Sequence, residues 1–186
     1  MRPGLPRRKR IRLKGYDYNS PGVYFLTICT AYMECALCEI IEEMGVDNRP
    51  KVVLSDYGEI VDEQIRIMDA MYPNLSIDTY VVMPNHVHIL LRVMWSKHPT
   101  VRDEDGKIIS PTPANTEVAR FLSTFKRYVN KKIGGNIWHT SAHDRIVRNQ
   151  REYDEIVKYI YANPIRWRLD RYNPNCTSPK KWYIVK

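Results

Sequence analysis

Two histidines, His86 and His88, flank one valine in the stretch Tyr80-Val81-Val82-Met83-Pro84-Asn85-His86-Val87-His88-Ile89-Leu90-Leu91. On an extended strand side chains alternate between faces, so both imidazoles point one way while Val87 and Ile89 point the other. Imidazoles converging on one point suit a divalent metal ion. Far downstream, in Ile156-Val157-Lys158-Tyr159-Ile160-Tyr161-Ala162-Asn163-Pro164, the spacing of Tyr159 and Asn163 brings phenol and amide to one helical face. Neutral imidazoles and an amide oxygen leave a cation most of its charge and open positions, and such a cation can grip a phosphate. The chemistry that fits is phosphodiester cleavage, in which the Tyr159 oxygen attacks phosphorus and a phosphotyrosine link conserves the bond energy. A free phenol has a pKa of about 10, so attack at neutral pH needs a cation or base nearby. Lys158, the metal and a substrate oxygen all meet that need. Each residue has a plainer reading too: His-x-His in a strand without metal, Tyr159 as one packing tyrosine among 13, and Asn163 as a helix-terminal cap before Pro164.

Charge points to the partner. The chain has 186 residues, 44% hydrophobic content and a formal net charge of +8, which fits one globular unit with extensions and a polyanionic partner, most commonly nucleic acid. Residues 1–15 form a basic arm without acids, 16–168 the domain, and 169–186 a basic tail. Candidate DNA contacts are Arg8, Arg10 and Arg12 in the arm, Lys126, Arg127 and Lys131 on one helix, Arg148 before the last helix, and Arg166 and Arg168 beyond Pro164. Solvated faces and termini are the plain alternative for these charges. Trp167, Arg168, Arg171 and Trp182 suit either base stacking or packing of the tail. No apolar run is long enough to span a bilayer and no signal-peptide core is present, so the expected location is cytoplasmic, with no membrane partner. Cys29, Cys35, Cys38 and Cys176 fit reduced thiols; Cys35 and Cys38 form a CxxC with no second pair to complete a zinc site.

The elements that must position these residues follow from periodicity. Residues 23–30 read as a buried strand, and 36–41 as a short second one. The spacing of apolar residues predicts a helix over 52–71, closed by Pro73. Strands over 77–82 and 86–94 meet at Met83-Pro84-Asn85. Residues 95–115 read as a long polar loop. A helix begins at Thr116 and stops at Gly134-Gly135, a short strand surrounds Asp144 to Arg148, and the tyrosine helix runs from Glu152 to Asn163, where Pro164 ends it. This order predicts an α+β fold of ferredoxin-like type, an antiparallel sheet with helices on one face.

Val82-Met83-Pro84-Asn85-His86-Val87-His88, then Trp138, His143-Asp144, Ile146-Val147-Arg148 and Tyr159-Ile160-Tyr161-Ala162-Asn163-Pro164 together resemble the single-tyrosine HUH transposases, closest to the REP-associated tyrosine transposase branch. The resemblance spans roughly Val23 to Arg168. It implies His86, His88 and Asn163 as metal ligands, Tyr159 as nucleophile, and Mg or Mn as the ion. It also implies a 5′-phosphotyrosine intermediate, a free 3′-hydroxyl and a single-stranded DNA substrate folded into a hairpin. His143 matches a family position and reads as structural or DNA-contacting. Members of the wider group often act as homodimers and the REP-associated branch as monomers, so the oligomeric state stays open. The long loop and the basic arm depart from the pattern and bear on hairpin recognition. A nucleic-acid-binding module of the same fold, with cleavage weak or lost, is the alternative function, and a metal hydrolase using water is a third.

Overall fold

Residues 22–29 alternate between two faces along β1 (Gly22–Cys29), with Tyr24, Leu26 and Ile28 wholly buried. The computed structural model describes residues 16–44, 50–98, 100–110 and 115–175. The chain continues through β2 (Cys38–Met44), β3 (Pro50–Leu54), α1 (Asp56–Met71), β4 (Leu75–Met83) and β5 (His86–Val93). Then come β6 (Val101–Arg102), β7 (Ile108–Ser110), α2 (Glu117–Ile133), β8 (His143–Val147) and α3 (Gln150–Arg166), with 3₁₀ turns at Ala31–Met33 and Trp167–Leu169. The main sheet has the order β4-β5-β1-β8, and each neighbouring pair is antiparallel. It follows that β1 runs parallel to β4, with α1 as crossover, and β5 parallel to β8, with α2 as crossover. This is the split βαβ arrangement of a ferredoxin-like fold. The α+β class and the antiparallel sheet agree with the sequence reading.

The helices, expected on one face, divide between two. Val87, Ile89 and Leu91 of β5 share a core with Val61, Ile65 and Met68 of α1 and with Val118, Phe121 and Phe125 of α2. Leu90, on the opposite face, packs with Phe25 and with Ile156 and Ile160 of α3. A central strand buried on both faces, with Val87, Ile89 and Leu91 on one and His86, His88 and Leu90 on the other, needs cover on both, and α3 supplies the second layer.

Three boundaries differ from expectation. The helix predicted over 52–71 begins at Asp56, because Val52-Val53-Leu54 pair with β2 instead and the Ser55 hydroxyl caps α1, accepting from Gly58 N–H at 3.1 Å. The polar loop 95–115 contains the β6–β7 hairpin, turned at Asp103–Gly106, where Gly106 adopts φ 77°. The tyrosine helix runs past Pro164 to Arg166, since proline near a helix end removes only its own N–H, and Trp167 N–H closes the last turn on the Asn163 and Pro164 carbonyls. Among the described residues no helix is long and apolar enough to cross a membrane.

The CxxC lies in a structural staple. Leu37 N–H donates to the Pro84 carbonyl and its carbonyl accepts from Ser55 N–H, both at 3.0 Å, tying the start of α1 to the β4–β5 turn. The Cys38 thiol donates to the Val82 carbonyl at 3.4 Å. Burial pushes Cys38 up to about 12 and raises Cys35 as well, which is the opposite of what thiolate chemistry needs. Cys176 lies outside the described residues.

Candidate active site

His86 opens β5, and the register sets it opposite Cys29 and sets His88 opposite Thr27. Both rings are buried and stand edge to face, with centroids 4.5 Å apart. Each is held through Nδ1. The Asn85 side-chain oxygen lies 2.7 Å from His86 Nδ1, and the Thr27 hydroxyl 2.9 Å from His88 Nδ1. Both Nε2 atoms are thereby left for another partner, and His88 Nε2 is buried without one. Burial lowers His86 to about 4, against a small opposing effect of the Asp170 carboxylate. Burial and then the neighbouring His86 lower His88 to about 3. The imidazoles are therefore neutral at physiological pH, the state in which a lone pair can bind a cation.

Across from the pair, α3 presents Tyr159. Its ring centroid is 5.3 Å from that of His88 and 6.0 Å from that of Phe25, to which it stands perpendicular, while 38% of the residue remains exposed. One turn on, Asn163 is buried, and its amide nitrogen has no partner. This burial, with the helix continuing beyond it, sets aside its reading as a terminal cap. A half-turn of the planar amide would exchange nitrogen for oxygen at the orphaned position. The Arg166 guanidinium, two turns from Tyr159 on the same helix, lies 5.9 Å from the Tyr159 ring centroid. Beside the site opens a cleft of about 880 Å³, lined among others by Pro84, Pro164, Trp167 and Arg168.

The donor set fits a divalent cation: an orphaned imidazole nitrogen, a second imidazole oriented in the same way, and an orphaned buried amide. Among the described residues no group of three or more His, Cys, Asp and Glu could hold a metal ion, so a cation held by the two imidazoles would need a third ligand of another type, such as an amide oxygen.

Of the candidate DNA contacts, Arg166 lies against Tyr159, and Arg168 lines the neighbouring cleft together with Trp167 and Glu39. Arg148 bonds Glu152 at the start of α3. Lys126, Arg127 and Lys131 lie on α2, whose core layer covers the other face of the sheet, and Lys126 is committed to the His139 carbonyl at 2.7 Å. Arg8, Arg10 and Arg12 lie outside the described residues, as does Trp182. His143 is exposed on β8, opposite Thr27. Sequence reasoning left out Thr27, the side chain of Asn85 as a support for His86, and Asp170. Arg166 beside Tyr159 was legible from its spacing, as a helix brings positions seven apart back to one face.

Fold and site define a ferredoxin-like α+β domain whose central strand aims a His-x-His pair at a tyrosine helix. Among solved structures, a REP-associated tyrosine transposase bound to a REP hairpin is similar, with a TM-score of 0.53 and 18% identity, covering 83% of this chain and 74% of that one. That likeness shows a shared fold. An uncharacterized protein of Haemophilus influenzae is 28% identical over 183 residues, 90% of this chain and 94% of its own. No model of a known protein family matches the chain.

Proposed function

We propose that the protein is a tyrosine DNA transposase of the REP-associated type, a single-strand endonuclease and strand transferase acting on hairpin-forming DNA. The observation that carries this reading is the buried, partnerless Nε2 of His88 beside the half-open Tyr159 ring. The shared fold with a transposase bound to a REP hairpin and the net charge of +8 support DNA as substrate.

Tyr159 is the nucleophile. The phenol gives up its proton as its oxygen attacks phosphorus in line, the bond to the leaving 3′ oxygen breaks, and that oxygen takes up a proton to become a free 3′-hydroxyl. The 5′ end stays on Tyr159 as a phosphodiester, and an incoming 3′-hydroxyl reverses the step and returns the phenol. Arg166 places positive charge beside the ring, where it favours charge building on the phenol oxygen and on the phosphate. His88 and Phe25 pack the ring edgewise and limit its swing. His86, His88 and Asn163 would hold Mg or Mn, which when bound neutralises and polarises the scissile phosphate. Tyr159 meets His88 within one chain, so this reading calls on no residue of a second copy.

The test is incubation with labelled hairpin DNA and Mn or Mg, followed by denaturing electrophoresis of wild type and Tyr159→Phe. The expected result is a covalent protein–DNA adduct that requires metal and is absent from the variant. Cleavage retained by Tyr159→Phe would instead indicate a water-using hydrolase. Binding without cleavage by the wild type would indicate a binding module.

A further inference from the structure

The turn after β1 holds a tyrosine in an unusual backbone state. Tyr32 has φ 54° and ψ 15°, and Met33 has φ 59°, a left-handed conformation that residues with a Cβ adopt rarely and seldom in succession. Tight anchoring surrounds it. Thr30 N–H donates to the Asn85 carbonyl at 2.9 Å, Ala31 N–H to the Ile137 carbonyl at 2.8 Å, and Glu34 N–H to the Ala31 carbonyl at 3.1 Å. The Thr30 hydroxyl lies within hydrogen-bonding distance of the Asn85 and Glu34 carbonyls. Yet Tyr32 itself is 96% exposed, the most exposed large hydrophobic side chain among the described residues.

The position of this turn connects it with the site. Cys29, at the end of β1, pairs with His86, and Asn85, which anchors Thr30, precedes His86 directly. Backbone hydrogen bonds on both flanks anchor the turn at the sheet end that carries His86, so the chain presents the Tyr32 side chain to solvent from a defined backbone. Strained backbone persists where the surrounding structure over-determines it, and it clusters at sites of binding and catalysis. We propose that Tyr32 is a stacking platform for a base of the single-stranded DNA flanking the Tyr159 site. Every base has a π face, so a phenol ring accepts a strand there without reading its sequence. The basic balance of the chain favours DNA over an acidic protein as the polyanion. This inference rests on the DNA-processing reading above.

The test separates the two readings. 2-Aminopurine is placed at successive single-stranded positions flanking a hairpin oligonucleotide, and binding is followed without metal, so that no cleavage is needed for a signal. Binding should change the fluorescence at one position or a short run of positions. That change should vanish in Tyr32→Leu, with affinity reduced roughly fivefold or more, and persist in Tyr32→Phe, as loss of one base–aromatic stack requires. Tyr32→Gly, which suits the left-handed backbone, should unfold at the same or a higher temperature and still lose the signal. Unchanged fluorescence and affinity in Tyr32→Leu would overturn the proposal. So would a loss seen with Leu but not with Gly, which would mark fold damage, or a Tyr32-dependent self-association with DNA binding intact. The adduct assay with Tyr159→Phe fails or succeeds independently of all these outcomes.

Discussion

With the Asn85 side-chain oxygen towards His86 Nδ1, the arrangement pairs with a His86 proton on Nδ1 and a lone pair on Nε2. The Thr27 hydroxyl can impose the same tautomer on His88. Both act through the imidazoles and touch no substrate. Outer partners of this kind typically change metal affinity by about 10- to 100-fold. Asn85→Ala and Thr27→Val are therefore expected to weaken Mn binding by about that factor in titration calorimetry, while Asn85→Asp, which keeps the acceptor, should bind more tightly than Asn85→Ala. Wild-type affinity in the first two variants would show that the rings need no such support. The histidine pair was legible in the sequence because strand alternation alone puts both rings on one face. Tyr159 and Asn163 were legible because their spacing is helical. Asn85 was legible only as a turn residue, and Thr27 not at all, since it lies 61 positions from His88 and only the β1–β5 register brings them together.

Elements were read well where one periodicity governed a segment, as in α2 from its Thr116 cap to Gly134, whose φ is 79°. They were misread where two signals overlapped. Val52 to Leu54 continue the helical apolar spacing of α1 but also carry β-branched residues, and pairing with β2 decides in favour of strand. Gly58 weakens the case for a helix by propensity, yet it belongs to α1, because a Cβ there would overlap the Leu37 carbonyl oxygen. Gly58→Ala would gain about 1 kcal/mol of helix propensity and should still be net destabilising, by about 1–3 kcal/mol as overpacking generally is. A urea titration monitored by circular dichroism measures the difference, and a stabilised variant would show that the staple yields. At the start of α3, buried Glu152 accepts from Arg148 N–H at 2.8 Å and from the Arg145 guanidinium. Burial works to raise its pKa, but the hydrogen bonds from Arg148 and Arg145 outweigh burial and lower it. A carboxyl lowered in the folded state contributes stability that is complete above its unfolded pKa of about 4.3 and is lost as pH falls through the folded value. Glu152→Gln should therefore cost about 1–2 kcal/mol at pH 7, with the gap to wild type closing below about pH 4. A gap that stayed constant with pH would assign the effect to packing.

At the scale of the whole molecule, the sheet works as a divider. One face is committed to α1 and α2 and to most of the core, and the other carries the histidines under α3. Sequence patterning could not show this division, because the second face of β5 offers a single apolar residue, Leu90, between His88 and Arg92, and the order of pairing depends on contacts far apart in the chain. Basic residues, by contrast, are visible in sequence without any fold; of those on α2, Arg127 and Lys131 are exposed on the helix layer of the other sheet face, while Lys126 reaches the His139 and Ser141 carbonyls near Cys29. The candidate for long-range attraction is then the N-terminal stretch, which holds Arg2, Arg7, Arg8, Lys9, Arg10, Arg12 and Lys14 without an acid. Each phosphate that such a residue neutralises steepens the fall of log K with log salt by about 0.7 on single strands and about 0.9 on duplex. Replacing Arg8, Arg10 and Arg12 together by Gln in the full chain should therefore flatten that slope by about 2–3 for hairpin DNA if each engages one phosphate. The metal-dependent adduct at Tyr159 should still form at low salt, where attraction is least limiting. An unchanged slope would place the electrostatic contacts elsewhere, on Arg148, Arg166 and Arg168 around α3, and the same titration on their Gln variants would then detect them.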